Sequence, residues 1–266
     1  MFTVMLMSAT AFAQYKLEYK ASGSVPLRYK AHTTLMTTES MMGHEAKVSV
    51  ASDQSISMTS EKSGANIAFD ITVDSSSNVA VLPNGDTSRT SSPAVGKTKR
   101  TLVSVDGEEI SSTWLDTTFA RTQAGEAKEF GSFFLSLPEK EVAPGSTWNK
   151  TKTDTVGTGG GEGNIRVTTN SDYKLVDKEE VGGVSCVKIA FTGKVTLQGN
   201  TLYQGIEFAI NGTGTISGTA LFDYQNGRVV RIDGASTQDL TMASSGQPQM
   251  TIPMNQQTNY ELSLER

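Results

Sequence analysis

The sequence is dominated by stretches in which apolar and polar residues alternate. In residues 187–198, for example, Val187, Ile189 and Phe191 share one parity and polar residues occupy most of the other. Because successive side chains of a β-strand point to opposite faces of a sheet, a period of two predicts a half-buried strand. The same alternation recurs in four further stretches: residues 15–20, 47–58, 202–210 and 259–265. We therefore expect a protein built mainly of β-strands.

Dipeptides that favour tight turns lie between and beside these stretches. Asn or Asp followed by Gly tolerates the positive φ angles of two-residue hairpin turns. Such pairs are Asn84-Gly85, Asp106-Gly107, Asn211-Gly212, Asn226-Gly227 and Asp233-Gly234. Hairpins joining successive strands predict a long antiparallel meander.

One stretch departs from the strand pattern. Phe130, Phe133, Phe134 and Leu137 stand at helical spacing before a proline, which predicts one short helix within residues 124–137. It would be a crossover between two β halves, residues 14–120 and 138–266. Strand-rich chains of this length commonly form one domain, so residues 14–266 are interpreted as a single β domain, with two β halves as the alternative.

Residues 1–13 form an apolar segment that ends in Ala11-Phe12-Ala13. Small residues at these positions are typical of signal-peptidase cleavage, so we predict a signal peptide, truncated at its start, and a mature chain beginning at Gln14. The alternative is a buried first strand. A signal peptide predicts export to the periplasm or the extracellular space.

Composition narrows the classes of function. The 266 residues include 23 Lys and Arg against 28 Asp and Glu, a net charge of −5, which argues against a nucleic-acid partner. After the first residues no apolar run reaches the roughly 18 residues of a transmembrane helix. One Cys and two His exclude an intrachain disulfide and a Cys/His zinc site, and we predict no cofactor.

Signatures of catalysis are lacking. The sequence contains no Gly-x-Ser-x-Gly elbow. His32 and His44 could each be combined with a Ser and an Asp into a catalytic triad, but in a chain this rich in Ser such a combination carries no information. Acidic pairs such as Glu108-Glu109 are typical of solvated turns. We therefore predict that the protein is not an enzyme.

Methionine is the unusual feature of the composition. Met36, Met41, Met42 and His44 fall within nine positions. Thioethers and imidazole are soft ligands suited to Cu(I), which makes these four residues a weak metal-site candidate. Methionine also lines pliable apolar sites and fills ordinary cores. All three interpretations stay open, with core filling favoured.

Two segments resemble a known group of proteins. Residues 137–148, Leu-Pro-Glu-Lys-Glu-Val-Ala-Pro-Gly-Ser-Thr-Trp, match a Leu-Pro-x-Lys-x-Val-x-x-Gly-x-Thr-Trp element, and the hairpin at residues 218–230 is similar to the same group. The group comprises uncharacterised secreted bacterial β proteins, often built as long curved meanders. The resemblance implies a fold and an exported location but no catalytic residues.

Long curved sheets of this kind are distantly similar to the half-barrel of periplasmic lipoprotein carriers, which enclose acyl chains; this is an analogy of fold only. The predicted fold is thus all-β, a long antiparallel meander curled into a half-barrel or clamshell with one short helix.

A curled sheet has a concave face that must be packed or occupied. We expect a non-catalytic envelope protein that binds an apolar or lipid-like ligand on that face. The candidate ligand-binding residues are Met36, Met58, Trp114, Trp148, Phe191 and Phe208. The alternative is a structural or assembly component of the bacterial surface that pairs through its sheet edges with itself or with an envelope protein.

Overall fold

The computed structural model describes residues 14–41, 44–122, 133–157, 163–203, 206–244 and 250–265. Within these residues the chain forms twelve β-strands and one short helix. The strands are β1 (Gly23–Met41), β2 (His44–Ser63), β3 (Asn66–Val81), β4 (Thr87–Thr90), β5 (Thr98–Val103), β6 (Glu109–Trp114), β7 (Thr147–Gly157), β8 (Gly163–Val181), β9 (Val184–Tyr203), β10 (Ile206–Asp223), β11 (Arg228–Ser244) and β12 (Thr251–Leu264). The helix is α1 (Thr117–Thr122).

All twelve strands belong to one antiparallel sheet. Its order is β6-β5-β3-β2-β1-β12-β11-β10-β9-β8-β7, with β4 pairing separately with β3. The pair β1–β12 joins the two runs of sequential hairpins, and β6 and β7 are the edges, unpaired with each other in the described part of the chain. The prediction of an all-β, open meander of half-barrel form is confirmed. Among the described residues no helix is long and apolar enough to cross a membrane.

One end of the concave face is filled by the chain itself, and we call it the closed end. It lies where β1 begins and β12 finishes. Two segments outside the sheet, residues 14–22 and 133–142, pack there and are together called the plug. The main buried members of this core are Leu17, Tyr19, Tyr29, Ile56, Met58, Phe69, Val103, Leu137, Leu175, Val187, Ile189, Phe191, Phe222 and Leu262. Strands far apart in the sheet order meet in this cluster, which identifies the face as the concave one.

Backbone hydrogen bonds fix the plug. Tyr15 and Val142 exchange both of their N–H···O bonds, at 2.8 and 3.0 Å, and so tie the two plug segments together. The Tyr19 N–H donates to the carbonyl of Val105 at 2.8 Å, which links the first segment to the β5–β6 turn. The plug is therefore hydrogen-bonded to itself and to the sheet.

The structure corrects two sequence expectations at the plug. Tyr15, Leu17 and Tyr19 alternate as in a strand, yet they lie outside the sheet with one isolated bridge. The predicted helix at 124–137 is wrong over residues 133–137, and the rest of it lies outside the described residues. There the Leu135 N–H donates to the Tyr19 hydroxyl and the Leu137 N–H to the carbonyl of Asp106, so tertiary bonds replace helical ones.

Two of the predicted turns are strand interiors. Asn211-Gly212 lies within β10 and Asp233-Gly234 within β11. Glycine is needed at Gly234 because a Cβ there would stand 2.2 Å from the ring of Tyr260 on the neighbouring strand. Glycine kinks are a recognised device for curving a sheet, and an aromatic side chain next to a cross-strand glycine helps to fix the strand register. These glycines therefore bend strands rather than reverse the chain.

Candidate functional site

Beyond the closed end, apolar side chains continue along the concave face. We call this group the open-end lining, and each member is at most 8% exposed. Its members are Val167, Val195, Leu197, Phe208, Ile210 and Leu240. Four of them form a separate cluster with Ile165, Ile216 and Met254, and this cluster contains sheet residues alone. The closed-end core, by contrast, includes the plug.

Strand β10 lets the lining come together because it carries glycine where its neighbours carry leucine. Gly212 pairs with Leu197 on one side and Leu240 on the other. A Cβ at Gly212 would stand 2.2 Å from the Cδ2 of Leu240, so the leucine lies over the bare backbone. The two leucines therefore belong to one cluster although a strand separates them.

Uncharged polar residues follow the closed-end core along the concave faces of β1, β2, β3, β11 and β12. The strand registers place these residues on the concave face: Thr33, Ser52, Gln54, Ser76, Asn78, Ser236, Gln238, Gln256 and Thr258. Gln238 is 8% exposed, and the Ser76 hydroxyl is buried with no hydrogen-bond partner among the described residues. A buried hydroxyl without a partner costs about 1–3 kcal/mol, so this polar belt has hydrogen-bonding capacity to offer.

Three of the six predicted ligand-binding residues lie at the closed end. Met58 and Phe191 belong to its core, and Trp148 packs against that core, stacked on Tyr173 with ring centroids 5.5 Å apart. The space left there is a cavity of about 20 Å³. That volume holds no more than about one water molecule, so these three side chains contact the protein's own chain.

The other three predicted residues lie apart from one another. Phe208 belongs to the open-end lining. Trp114 packs edge-on against Phe119, with ring centroids 4.9 Å apart, in a small cluster near the β6 edge. Met36 is 41% exposed and lies on the convex face, by its register opposite Ser49. The structure thus brings only one of the six to the open end.

The methionine cluster is dispersed by the β1–β2 hairpin. Met41 pairs with His44 at its tip, and Met42 lies outside the described residues. Met36 pairs with Ser49, which lies five residues and about 17 Å along β2 from His44. Met36 therefore does not share a coordination sphere with His44. Among the described residues no three His, Cys, Asp or Glu side chains are grouped to hold a metal ion.

The remaining histidine stands on the convex face. His32 Nδ1 lies 2.7 Å from Asp53 Oδ1, and both side chains are more than half exposed. Both groups face solvent on adjacent strands. The His32–Asp53 pair is therefore an exposed surface contact.

The segment at residues 137–148 proves to be a plug anchor. The Leu137 side chain is fully buried, and the Trp148 indole N–H donates to the carbonyl of Ser136 at 2.9 Å. Gly145 has a φ of +92° and donates its N–H to the carbonyl of Leu175, which joins the segment to β8. The residues that carry the family resemblance in this segment thus attach the plug to the sheet at the closed end.

The hairpin at residues 218–230 has the same role from the other side. Its turn is held by Asp223, which is fully buried and accepts hydrogen bonds from Asn226 and Arg228. Gly227 has a φ of +64°, and a Cβ there would stand 2.5 Å from the carbonyl oxygen of Glu18. Its own carbonyl accepts the Lys20 N–H at 3.1 Å. The glycine is required because the plug backbone crosses the turn at contact distance.

Charged residues join the two sheet edges at the closed end, a region we call the seam. Lys150 of β7 lies 3.1 Å from Asp106, in the β5–β6 turn, and 3.3 Å from Glu139 of the plug. Burial opposes ionisation of Asp106, but the hydrogen bond from Ser104 and the contact with Lys150 prevail and hold its pKa below the ordinary value. Burial opposes ionisation of Lys150 as well, but its contacts with Asp106 and Glu139 prevail and raise its pKa. At the seam, β7 is therefore joined to the β5–β6 turn and to the plug by side-chain ion pairs and not by backbone strand pairing.

Comparison with known proteins adds no identification. No protein-family model matches the sequence, and no curated protein matches it significantly. Two solved structures of Pseudomonas aeruginosa OccK2 (OpdF) align with the chain, one of them in complex with glucuronate. Their TM-scores are 0.30 and 0.28, at 6% and 7% sequence identity, covering 93% and 92% of this chain and 100% of theirs. Similarity at this level carries no information about the function of this chain.

Proposed function

We propose that the protein is a non-catalytic, exported binding protein of the bacterial envelope that takes an apolar, lipid-like ligand on the open half of its concave face. The observation that carries the proposal is the open-end lining itself. It is a set of large apolar side chains on the concave face, clustered without any contribution from the plug. Apolar surface in a concave site is the usual basis of small-molecule binding.

The polar belt narrows the class of ligand. Binding sites for small molecules combine mainly apolar walls with a few polar groups that fix orientation. Here Gln238, two residues from Leu240 on β11, and Ser76 on β3 are uncharged groups on the concave face. They suit a ligand with a hydrocarbon part and an uncharged hydroxyl, ester or amide group.

The sheet edges weigh against the alternative of assembly by strand addition. On the β7 edge, Lys150, Lys152 and Asp154 occupy the concave parity. Inward-pointing charges on an edge strand hinder pairing with another chain. The other edge, β6, spans only Glu109–Trp114 and is followed directly by α1.

The test is native mass spectrometry of the purified chain, followed by organic extraction and identification of what co-purifies. Two variants on one strand sharpen it. Leu240→Asp places a charge in the open-end lining, whereas Thr241→Asp places the same charge on the convex face of β11. We expect a lipid-like molecule in defined ratio with the parent protein and with Thr241→Asp, and its loss from Leu240→Asp.

A parent protein that is free of ligand and that binds no added phospholipid or fatty alcohol would contradict the proposal. So would equal ligand content in the two variants. Circular dichroism of both variants verifies that the sheet is retained.

A further inference from the structure

A second concavity lies at the closed end, at the beginnings of β1 and β11 and the end of β12. It is an open cleft of about 520 Å³, within the range of about 300–1,000 Å³ typical of small-molecule sites. Its apolar walls are Leu27, Val184, Val230 and Leu264. Val230 is only 5% exposed and does not belong to the closed-end core, and its side chain forms part of the cleft wall.

The charged groups of the cleft favour an anion. Arg28 lies in the wall and makes no ion pair with any described residue. Arg228 is anchored by its Nε, 3.2 Å from the buried carboxylate of Asp223. The one acidic wall residue, Glu265, lies 2.7 Å from Lys30 and is neutralised by it. Counting these groups gives three cations against two carboxylates, an excess of one positive charge.

We propose that this cleft binds a small amphiphilic anion, a carboxylate or phosphate carried on a short hydrocarbon tail. Arg28 makes the main contact with the anion, since guanidinium groups present paired donors to both kinds of oxyanion. Leu27 and Val230 contact the tail. The cleft borders the closed-end core, against which Leu27 and Leu264 pack, and shares no residue with the open-end lining, so it does not depend on the function proposed above.

Arg28 is the residue to change. Removal of Arg228 would leave Asp223 buried without its cation, and loss of folding would then obscure any loss of binding. Arg28 is exposed, so Arg28→Gln removes the charge and keeps a polar, unbranched side chain. Arg166→Gln is the matched control because Arg166 is also exposed and lies on β8, outside the cleft.

The experiment is isothermal titration calorimetry of the full chain with decanoate, decyl phosphate and the uncharged decanol, each below its micelle concentration. Because the open-end lining is proposed to take uncharged amphiphiles, the three ligands are compared in the Leu240→Asp variant. There we expect one-to-one binding of at least one anion, at least tenfold weaker binding of decanol, and about tenfold weaker anion binding when Arg28→Gln is added, equivalent to about 1.4 kcal/mol. Arg166→Gln added to the same variant should leave anion binding unchanged. The tighter of the two anions identifies the headgroup.

The proposal is overturned if, in the Leu240→Asp variant, neither anion binds, decanol binds as tightly as the anions, or adding Arg28→Gln leaves anion binding unchanged. Leu240→Asp separates the two sites. If it abolishes anion binding while Arg28→Gln does not, the amphiphile occupies the concave face, and the cleft proposal fails while the proposed function stands. Failure of the concave-face test alone leaves the titration of the cleft unaffected.

Discussion

The closed and open ends of the same concave face differ in what covers the sheet. At the closed end the plug lays Leu17, Tyr19 and Leu137 against the strands and leaves a cavity of about 20 Å³. At the open end a smaller cluster is made by sheet side chains alone. The chain thus covers one half of its concave face with its own plug. Under the proposed function the other half takes the ligand, which places stability and binding at opposite ends of the same strands.

The largest expected effect contrasts leucines at the two ends. Leu17→Ala removes a fully buried plug side chain, whereas Leu240→Ala removes an 8% exposed side chain from the open-end lining. Leucine-to-alanine changes cost about 2–5 kcal/mol, and the cost rises when the site cannot collapse. We expect Leu17→Ala near the upper value and Leu240→Ala near the lower one, measured by urea unfolding. A larger loss of unfolding free energy for Leu240→Ala than for Leu17→Ala would contradict this difference between the two ends.

The second prediction concerns curvature. Gly234→Ala sets a methyl group 2.2 Å from the Tyr260 ring, which must leave its place over β11. Overpacking of this kind costs typically 1–3 kcal/mol, and we expect about 3 kcal/mol. The measurement is a double-mutant cycle in which Gly234→Ala is repeated in a Tyr260→Ala background. The cost should shrink there, and an undiminished cost would show that the ring is not the obstacle.

The third prediction tests the hydrogen bond that joins the two plug segments. Tyr19→Phe removes the hydroxyl that accepts the Leu135 N–H at 2.6 Å and leaves a buried donor without a partner. The free energy of unfolding should fall by about 2 kcal/mol at neutral pH. The matched control is Tyr224→Phe, since Tyr224 only packs against the outside of the core.

The same tyrosine predicts alkaline instability. Burial raises the pKa of Tyr19 and Tyr29 above the ordinary value of 10.0, and it raises the pKa of Tyr260 to about 12. A raised folded-state pKa gives stability that is complete below the unfolded pKa and is lost as pH rises above it. Stability should therefore decline above pH 10, less steeply for Tyr19→Phe. A flat profile in the parent would contradict the buried placement.

The smallest effect is expected at the seam. Asp106→Asn weakens the contact with Lys150, a partly exposed pair worth about 1 kcal/mol or less. Because the folded-state pKa of Asp106 is lowered, its contribution is present above the ordinary value of 3.8 and is lost as pH falls below it. Asp106→Asn should flatten the acid limb of the stability profile. Asp154→Asn, on the free edge, is the control and should leave that limb unchanged.

The sequence predicts strands well here because alternation is a local property. The stretch from Val187 to Leu197 is a strand as its period indicates. Tyr15, Leu17 and Tyr19 carry the same period in a segment that crosses the end of the sheet, since a buried extended segment alternates whether or not it is hydrogen-bonded to strands. Glycine is ambiguous for a similar reason, because a turn at Gly227 and a bend at Gly234 both require it.

The site was harder to predict than the fold. Alternation shows that Phe191 and Phe208 are both buried, but it does not show what buries them. The first belongs to the closed-end core, which includes plug residues, and the second lies in the open-end lining. That difference depends on which end of a strand each residue occupies in the folded sheet. Leu197 and Leu240 are brought together only through Gly212 on the strand between them, and no spacing in the sequence records this.

The central claim is that the chain fills the closed end itself and leaves the open end to an apolar ligand. Hydrogen–deuterium exchange with and without Nile red, an uncharged apolar dye, tests it directly. We expect slowed exchange on dye binding around residues 195–199, 208–212 and 238–242, with no change in the plug at 14–22 and 133–142. Protection confined to the plug, or dye binding that protects neither end, would contradict it.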